Sequence, residues 1–135
     1  MNTTFDYPLT ILEGHLDTFG HVNNAVYLEL LEEARWDIIT RRGYGLETIK
    51  QTGMGPTLLE VQLRFMRELR LRQKIVIHSQ MISYEGKVSV MRQWMVNEAG
   101  ETCCDASLKI ALFDVRLRKL VAPTPEWLDA VGVKN

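Results

Sequence analysis

The chain has 135 residues, 46% hydrophobic and 24% charged, and its 16 Lys+Arg against 17 Asp+Glu leave a formal net charge of -1. That length suits one domain spanning residues 1–135, and the apolar content excludes an intrinsically disordered chain. Near-neutral charge argues against a dedicated nucleic-acid binder, and no run of eighteen or so apolar residues offers a membrane-spanning helix.

The segment Met1 to Asp6 has neither a basic region nor an apolar run, so it does not read as a signal peptide. Tyr7 to Leu12 is apolar or β-branched and predicts a first strand. A polar stretch from Gly14 to Asn24 follows, with Asn23 or Asn24 placed to cap a helix. From Ala25 to about Arg42 the period becomes helical: Tyr27, Leu28, Leu31, Ala34, Arg35 and Ile38 recur at three- and four-residue steps. Gly43 and Gly45 are expected to end that helix.

Alternation with period two then takes over. Val61, Leu63, Phe65, Leu69 and Leu71 fall on one strand face, and Arg67-Glu68 interrupts the pattern as a bulge or a departure from the core. Ile75 to Tyr84 predicts a strand, and Glu85-Gly86-Lys87 a short turn. Val88, Val90, Trp94 and Val96 share one face of the next strand, opposed by Met91 and Met95. Apolar residues on both faces hint at a second buried surface. Cys104, Ala106, Leu108, Ile110 and Leu112 line a further strand, Leu120 to Ala122 adds a short one, and Thr124-Pro125 opens a final helix stopped by Gly132. Short connections force antiparallel pairing. One long helix against such a sheet is an α+β arrangement.

Chemistry concentrates in Asp17-Thr18-Phe19-Gly20-His21-Val22-Asn23-Asn24. A carboxylate precedes a helix N-terminus, whose unpaired N–H groups and positive dipole end stabilise an oxygen that becomes negative. Asp17 either attacks a polarised carbonyl, deprotonates a water that does, or serves only as a turn residue satisfying loop amides. Spacing alone leaves all three open.

Leu16 to Leu28, with Glu32-Glu33-Ala34-Arg35-Trp36-Asp37, closely resembles the signature of hot-dog-fold acyl-CoA thioesterases. The group is that of 4-hydroxybenzoyl-CoA thioesterase, most nearly its bacterial long-chain acyl-CoA branch. The resemblance implies a curved antiparallel sheet of five to six strands wrapped around one long central helix. It implies an enzyme that hydrolyses acyl-CoA without metal or organic cofactor. It also implies subunits paired edge to edge as a homodimer, and further as a homotetramer, with active sites at the dimer interface. Asp17 is implied to be the catalytic carboxylate, and the backbone N–H of Asn24 the donor that polarises the thioester carbonyl. Asn23 and Tyr27 match motif positions near the acyl pocket, and His21, close to Asp17 in the chain, is a candidate for substrate contact, for a general base or for a hydrogen bond that fixes the loop. The family often carries aromatic, any residue, Arg or Lys, then Pro after the helix; here Phe65-Met66-Arg67-Glu68 lacks the proline.

Other readings are weighed against this one. A related branch uses a helical Glu, for which Glu29, Glu32 and Glu33 are available. An acyl-carrier-protein thioesterase, a hydratase on the same fold, or a non-catalytic acyl-CoA binder would share the architecture. His15, His21 and His78 match no usual zinc spacing. The adjacent Cys103 and Cys104 cannot build a disulfide framework, which points to a reducing cytoplasm; alternation sends them to opposite strand faces. Arg64, Arg67, Arg70, Arg72 and Lys74 form a basic cluster, read as a solvated face or as a site for coenzyme A phosphates.

Overall fold

A computed structural model describes residues 1–134. Its strands are β1 (Thr4–Thr10), β2 (Met54–Phe65), β3 (Lys74–Glu85), β4 (Val88–Asn97), β5 (Thr102–Asp114) and β6 (Lys119–Val121). Its α-helices are α1 (Asn24–Arg41), α2 (Leu46–Thr52) and α3 (Pro125–Ala130). All pairings are antiparallel, in the order β1-β3-β4-β5-β2, with β6 also pairing to β5. α1 buries Tyr27, Leu30, Leu31, Ala34, Ile38 and Ile39 against this sheet. The result is the expected α+β hot-dog arrangement.

Several boundaries differ from the sequence reading, each for a local reason. β1 starts earlier because its ladder with β3 runs from Thr4 opposite Gln80 to Thr10 opposite Lys74. Helix α1 ends at Arg41, and just beyond its cap Gly43 turns the chain away at a φ of +83°. The chain then makes the unpredicted α2, closed by Gly53 at φ +73°. Seven residues are too few for a helical period to show. β2 begins at Met54, well before Val61, because Gly55 and Pro56 read as breakers while a sheet edge tolerates them. At its far end β2 stops at Phe65, so Leu69 and Leu71 do not share its face: Leu69 is wholly buried in the core and Leu71 is exposed.

On β4 the core face is Ser89, Met91, Gln93 and Met95; Val88, Val90, Trp94 and Val96 lie half-buried on the other side. A network explains why Gln93, with no exposed surface, sits inside. Its amide donates to Leu31 O and to Ser79 Oγ, both at 3.0 Å, and its Oε1 accepts from Arg35 Nη1 at 2.9 Å. Every polar atom of that side chain is therefore satisfied, which burial demands. The cysteines overturn simple alternation. Met95 pairs with Cys104 and Val96 with Thr102, so Cys103 is the extra residue of a bulge, and both thiols are fully buried.

Candidate active site

Between Leu16 and Val22, which form an isolated antiparallel bridge, the chain folds back in a tight loop. Asp17 N–H donates to His21 O at 2.8 Å and Gly20 N–H to Asp17 O at 3.1 Å. Gly20 turns the corner at φ +80°, a conformation that suits glycine. Asp17 Oδ1 accepts the amides of Phe19 at 2.9 Å and His21 at 3.2 Å. This is the turn role foreseen for a loop aspartate, and it occupies one oxygen only. Oδ2 has no hydrogen bond among the described residues.

The loop leads straight into α1. Asn23 is the N-cap: its Oδ1 accepts Ala25 N–H at 2.8 Å and its carbonyl accepts Val26 N–H at 2.9 Å. The Asn24 N–H, first in the helix, finds no acceptor among the described residues. A half-exposed carboxylate and an unsatisfied helix N-terminal donor thus open onto the same cleft, about 440 Å³ in volume. Such donors suit an oxygen gaining negative charge, because the dipole end is fixed before reaction.

Tyr27 and Phe65 form a wall of that cleft, packed edge to face with ring centroids 4.9 Å apart. Tyr27 is buried, and burial raises its phenol pKa. His21 is exposed and its Nε2 lies 3.1 Å from Glu68 Oε1. β2 breaks off here because Met66 N–H and Arg67 N–H both donate to Cys103 O, at 2.9 and 3.0 Å, and Arg67 pairs with Glu101 at 2.9 Å. Asp17, His21, Asn23, Asn24 and Tyr27 all line the one cleft. Val22, Phe65, Met66, Arg67 and Glu68 also line it; of these, Phe65 and Glu68 are not singled out from sequence as site residues. The signal for Glu68 was available: it stands where proline is the common residue.

The competing side chains lie elsewhere. Glu33 accepts the Tyr7 hydroxyl at 2.7 Å, Glu29 is exposed, and Glu32 borders a different cavity. His15 Nδ1 accepts Leu12 N–H at 2.9 Å, and His78 pairs with Asp6 at 2.6 Å. Among the described residues no three His, Cys, Asp or Glu side chains gather as metal ligands would. Of the basic cluster, Arg72 is held by Glu13 away from the cleft, whereas Arg67 lines the cleft itself and is held by Glu101.

The family model of the thioesterase-like superfamily matches residues 12–131, from the Asp17 loop to the end of α3. The chain belongs to the thioesterase-like superfamily. Within that superfamily it is 30% identical over 109 residues to the long-chain acyl-CoA thioesterase FadM of Escherichia coli (strain K12), covering 80% of this chain and 82% of that one. A crystal structure of YbaW, a probable thioesterase from Escherichia coli, superposes with a TM-score of 0.82 at 27% identity, over 96% of this chain and 98% of that one. SAV2348 from Staphylococcus aureus, solved in complex with CoA, superposes at 0.89 over 97% and 83% of the two chains. At 14% identity, that likeness speaks for the fold. No described helix is long and apolar enough to cross a membrane.

Proposed function

We propose that this chain hydrolyses acyl-CoA thioesters to a free acid and coenzyme A. The observation that carries the reading is the pairing, in one cleft, of the uncommitted Asp17 Oδ2 with the uncommitted Asn24 N–H. The thioester carbonyl oxygen sits at the Asn24 amide, where the helix end favours the developing negative charge. Losing one such donor typically costs about 2.7–4 kcal/mol of barrier.

Asp17 acts in one of two balanced ways. As general base it takes a proton from water while the hydroxide oxygen bonds to the carbonyl carbon; the C–S bond then breaks and the departing thiolate takes that proton. As nucleophile its Oδ2 displaces the thiolate to give an anhydride, which water opens to acid and restored carboxylate. Asn23 holds the helix start in place, His21 and Glu68 tie the loop to the far wall, and Tyr27 shapes the pocket.

The working enzyme is a homodimer in this reading. β2 is an edge strand, and Leu58, Leu59, Phe65 and Met66 on or just beyond it are 44–55% exposed. An edge of that length with exposed apolar residues is a pairing template. Pairing of dimers into a homotetramer would cover the half-buried outer face that carries Val90, Trp94 and Val96.

Release of thiol from a panel of acyl-CoAs, for wild type beside Asp17→Asn, tests this directly. Turnover by wild type and a loss of orders of magnitude in the folded variant are expected. Binding of acyl-CoA without thiol release by wild type would replace the hydrolase with a binder. Full activity in Asp17→Asn would move the base to another residue.

A further inference from the structure

The two walls of the Asp17 cleft differ in firmness. On the far side, residues 66–69 are pinned to the sheet and the core. Met66 N–H and Arg67 N–H share Cys103 O, Arg67 pairs with Glu101, and the Leu69 side chain is wholly buried. On the near side, Thr18, Phe19, Gly20 and His21 are all exposed, Phe19 to 85%. The hydrogen bonds of this loop run within it: Asp17 N–H to His21 O, Gly20 N–H to Asp17 O, and the Phe19 and His21 amides to Asp17 Oδ1. Among the described residues, one polar contact alone joins residues 17–21 to a distant part of the chain. It is His21 Nε2 with Glu68 Oε1, at 3.1 Å.

That contact does little for the fold as a whole. Its side chains are 63% and 45% exposed, and ion pairs in water contribute little to stability. Nor does the backbone need a glutamate here. Glu68 N–H donates to nothing among the described residues, so a proline would forfeit no hydrogen bond at this position. What the glutamate adds is a carboxylate that reaches the opposite wall. There it meets a residue bonded to Asp17 in both directions, at 2.8 Å from Asp17 N–H to His21 O and 3.2 Å from His21 N–H to Asp17 Oδ1. Holding the His21 ring therefore holds the backbone that orients the Asp17 carboxylate, and Oδ2 with it.

We propose that Glu68 is a positioning residue of the hydrolytic site: through His21 it ties the Asp17 loop to the firm wall and sets Oδ2 relative to the Asn24 amide. The inference rests on the acyl-CoA hydrolase reading above. Glu68 itself makes and breaks no bond. Its leverage is geometric, since a misplacement of about 1 Å from a change remote from the chemistry can cost ~10²-fold in rate. Loss of the tether leaves the loop's own hydrogen bonds intact, so the displacement is smaller and the expected loss is about tenfold.

The test is a double-mutant cycle on the full chain: Glu68→Ala, His21→Ala and the two together, each followed by thiol release from acyl-CoA. Glu68→Ala is expected to lower kcat about tenfold and to hold KM within about twofold, with the melting temperature unchanged. In the His21→Ala background it should cost nothing further, because the path to Asp17 is already cut. A loss that persists in full in that background overturns the proposal, since Glu68 would then act without His21. Amide hydrogen exchange supplies a readout independent of turnover. The Phe19 and His21 amides, which donate to Asp17 Oδ1, should exchange faster in Glu68→Ala than in wild type. If wild type releases no thiol, the hydrolase reading falls, while faster exchange still upholds the tether on the Asp17 loop. Unchanged kcat and unchanged exchange in Glu68→Ala would overturn the tether and leave hydrolysis standing.

Discussion

Two polar constellations sit on α1 and they obey opposite rules. Near the middle of the helix, Arg35, Gln93 and Ser79 join helix to sheet, and among the described residues no buried side-chain polar atom is left without a partner. At the helix start, Asp17 and Asn24 each keep one group uncommitted, and solvent reaches both. Burial explains the contrast. An unpaired polar group in the core costs about 1–3 kcal/mol, whereas an exposed one is paid for by water until substrate replaces it. The first constellation therefore belongs to stability and the second to turnover, and substitutions should separate them.

Asp17→Asn is the largest expected effect. Asn keeps an oxygen for the Phe19 and His21 amides, so the loop and the melting temperature should hold within a few degrees. kcat/KM should fall by about 10²–10⁴, the usual contribution of a positioned acid–base group. A variant that lost stability in step with activity would place Asp17 in the structural class and dissolve the contrast.

Gln93→Leu should show the reverse. It strips Arg35 of its acceptor and removes the donor to Leu31 O and Ser79 Oγ, leaving a half-buried guanidinium whose pKa burial already lowers. A loss of about 3 kcal/mol is expected, read as a lower urea midpoint at unchanged slope. Activity per folded molecule should stay near wild type. If instead kcat fell sharply at full stability, the network would be positioning the site.

This same glutamine marks where the sequence stopped being legible. Hydropathy finds apolar residues on both faces of β4 and gives no means to choose the face with Gln93 and Ser89 as the core, because their partners Arg35 and Ile110 O are distant in sequence. Cys103 was likewise hidden, since a bulge depends on the register between two strands and not on either alone. The Asp17 loop and the start of α1 were readable because their hydrogen bonds are local: Asp17 to residues two and four on, Asn23 to residue two on. Glu68 is marked in the sequence by the missing proline, but its place in the cleft depends on tertiary pairing with His21, 47 positions earlier.

Asn23→Ala sits between the two classes and sharpens the boundary. Loss of the cap at Ala25 N–H should cost about 1 kcal/mol. Because the adjacent Asn24 amide is the proposed oxyanion donor, kcat should fall with little change in KM as the helix start frays. An Asn23→Ser or Asn23→Asp variant, each a good cap, should restore both. Restored stability without restored kcat would separate the cap from the donor geometry.

The smallest effect comes from the buried thiols and runs with pH. Burial, aided by the charge of Asp105, pushes the Cys104 thiol up to about 12, and Cys103 is raised as well. In the unfolded chain a thiol ionises near about 8.5–9. Because the folded pKa is the higher one, this stabilisation is complete below the unfolded pKa and drains away as pH rises toward 12. The loss should be about 0.5 kcal/mol by pH 9 and grow above it, visible as a falling urea midpoint. Tyr7 adds to the decline further up, since its hydroxyl bond to Glu33 holds it at about 12. Cys104→Ala should flatten the first part of that curve, and native protein should resist thiol alkylation that the unfolded chain accepts. Rapid alkylation of the folded chain would mean that the Cys103 bulge opens readily. That opening would reach the cleft, because the Cys103 carbonyl anchors the Met66 and Arg67 amides at its far wall.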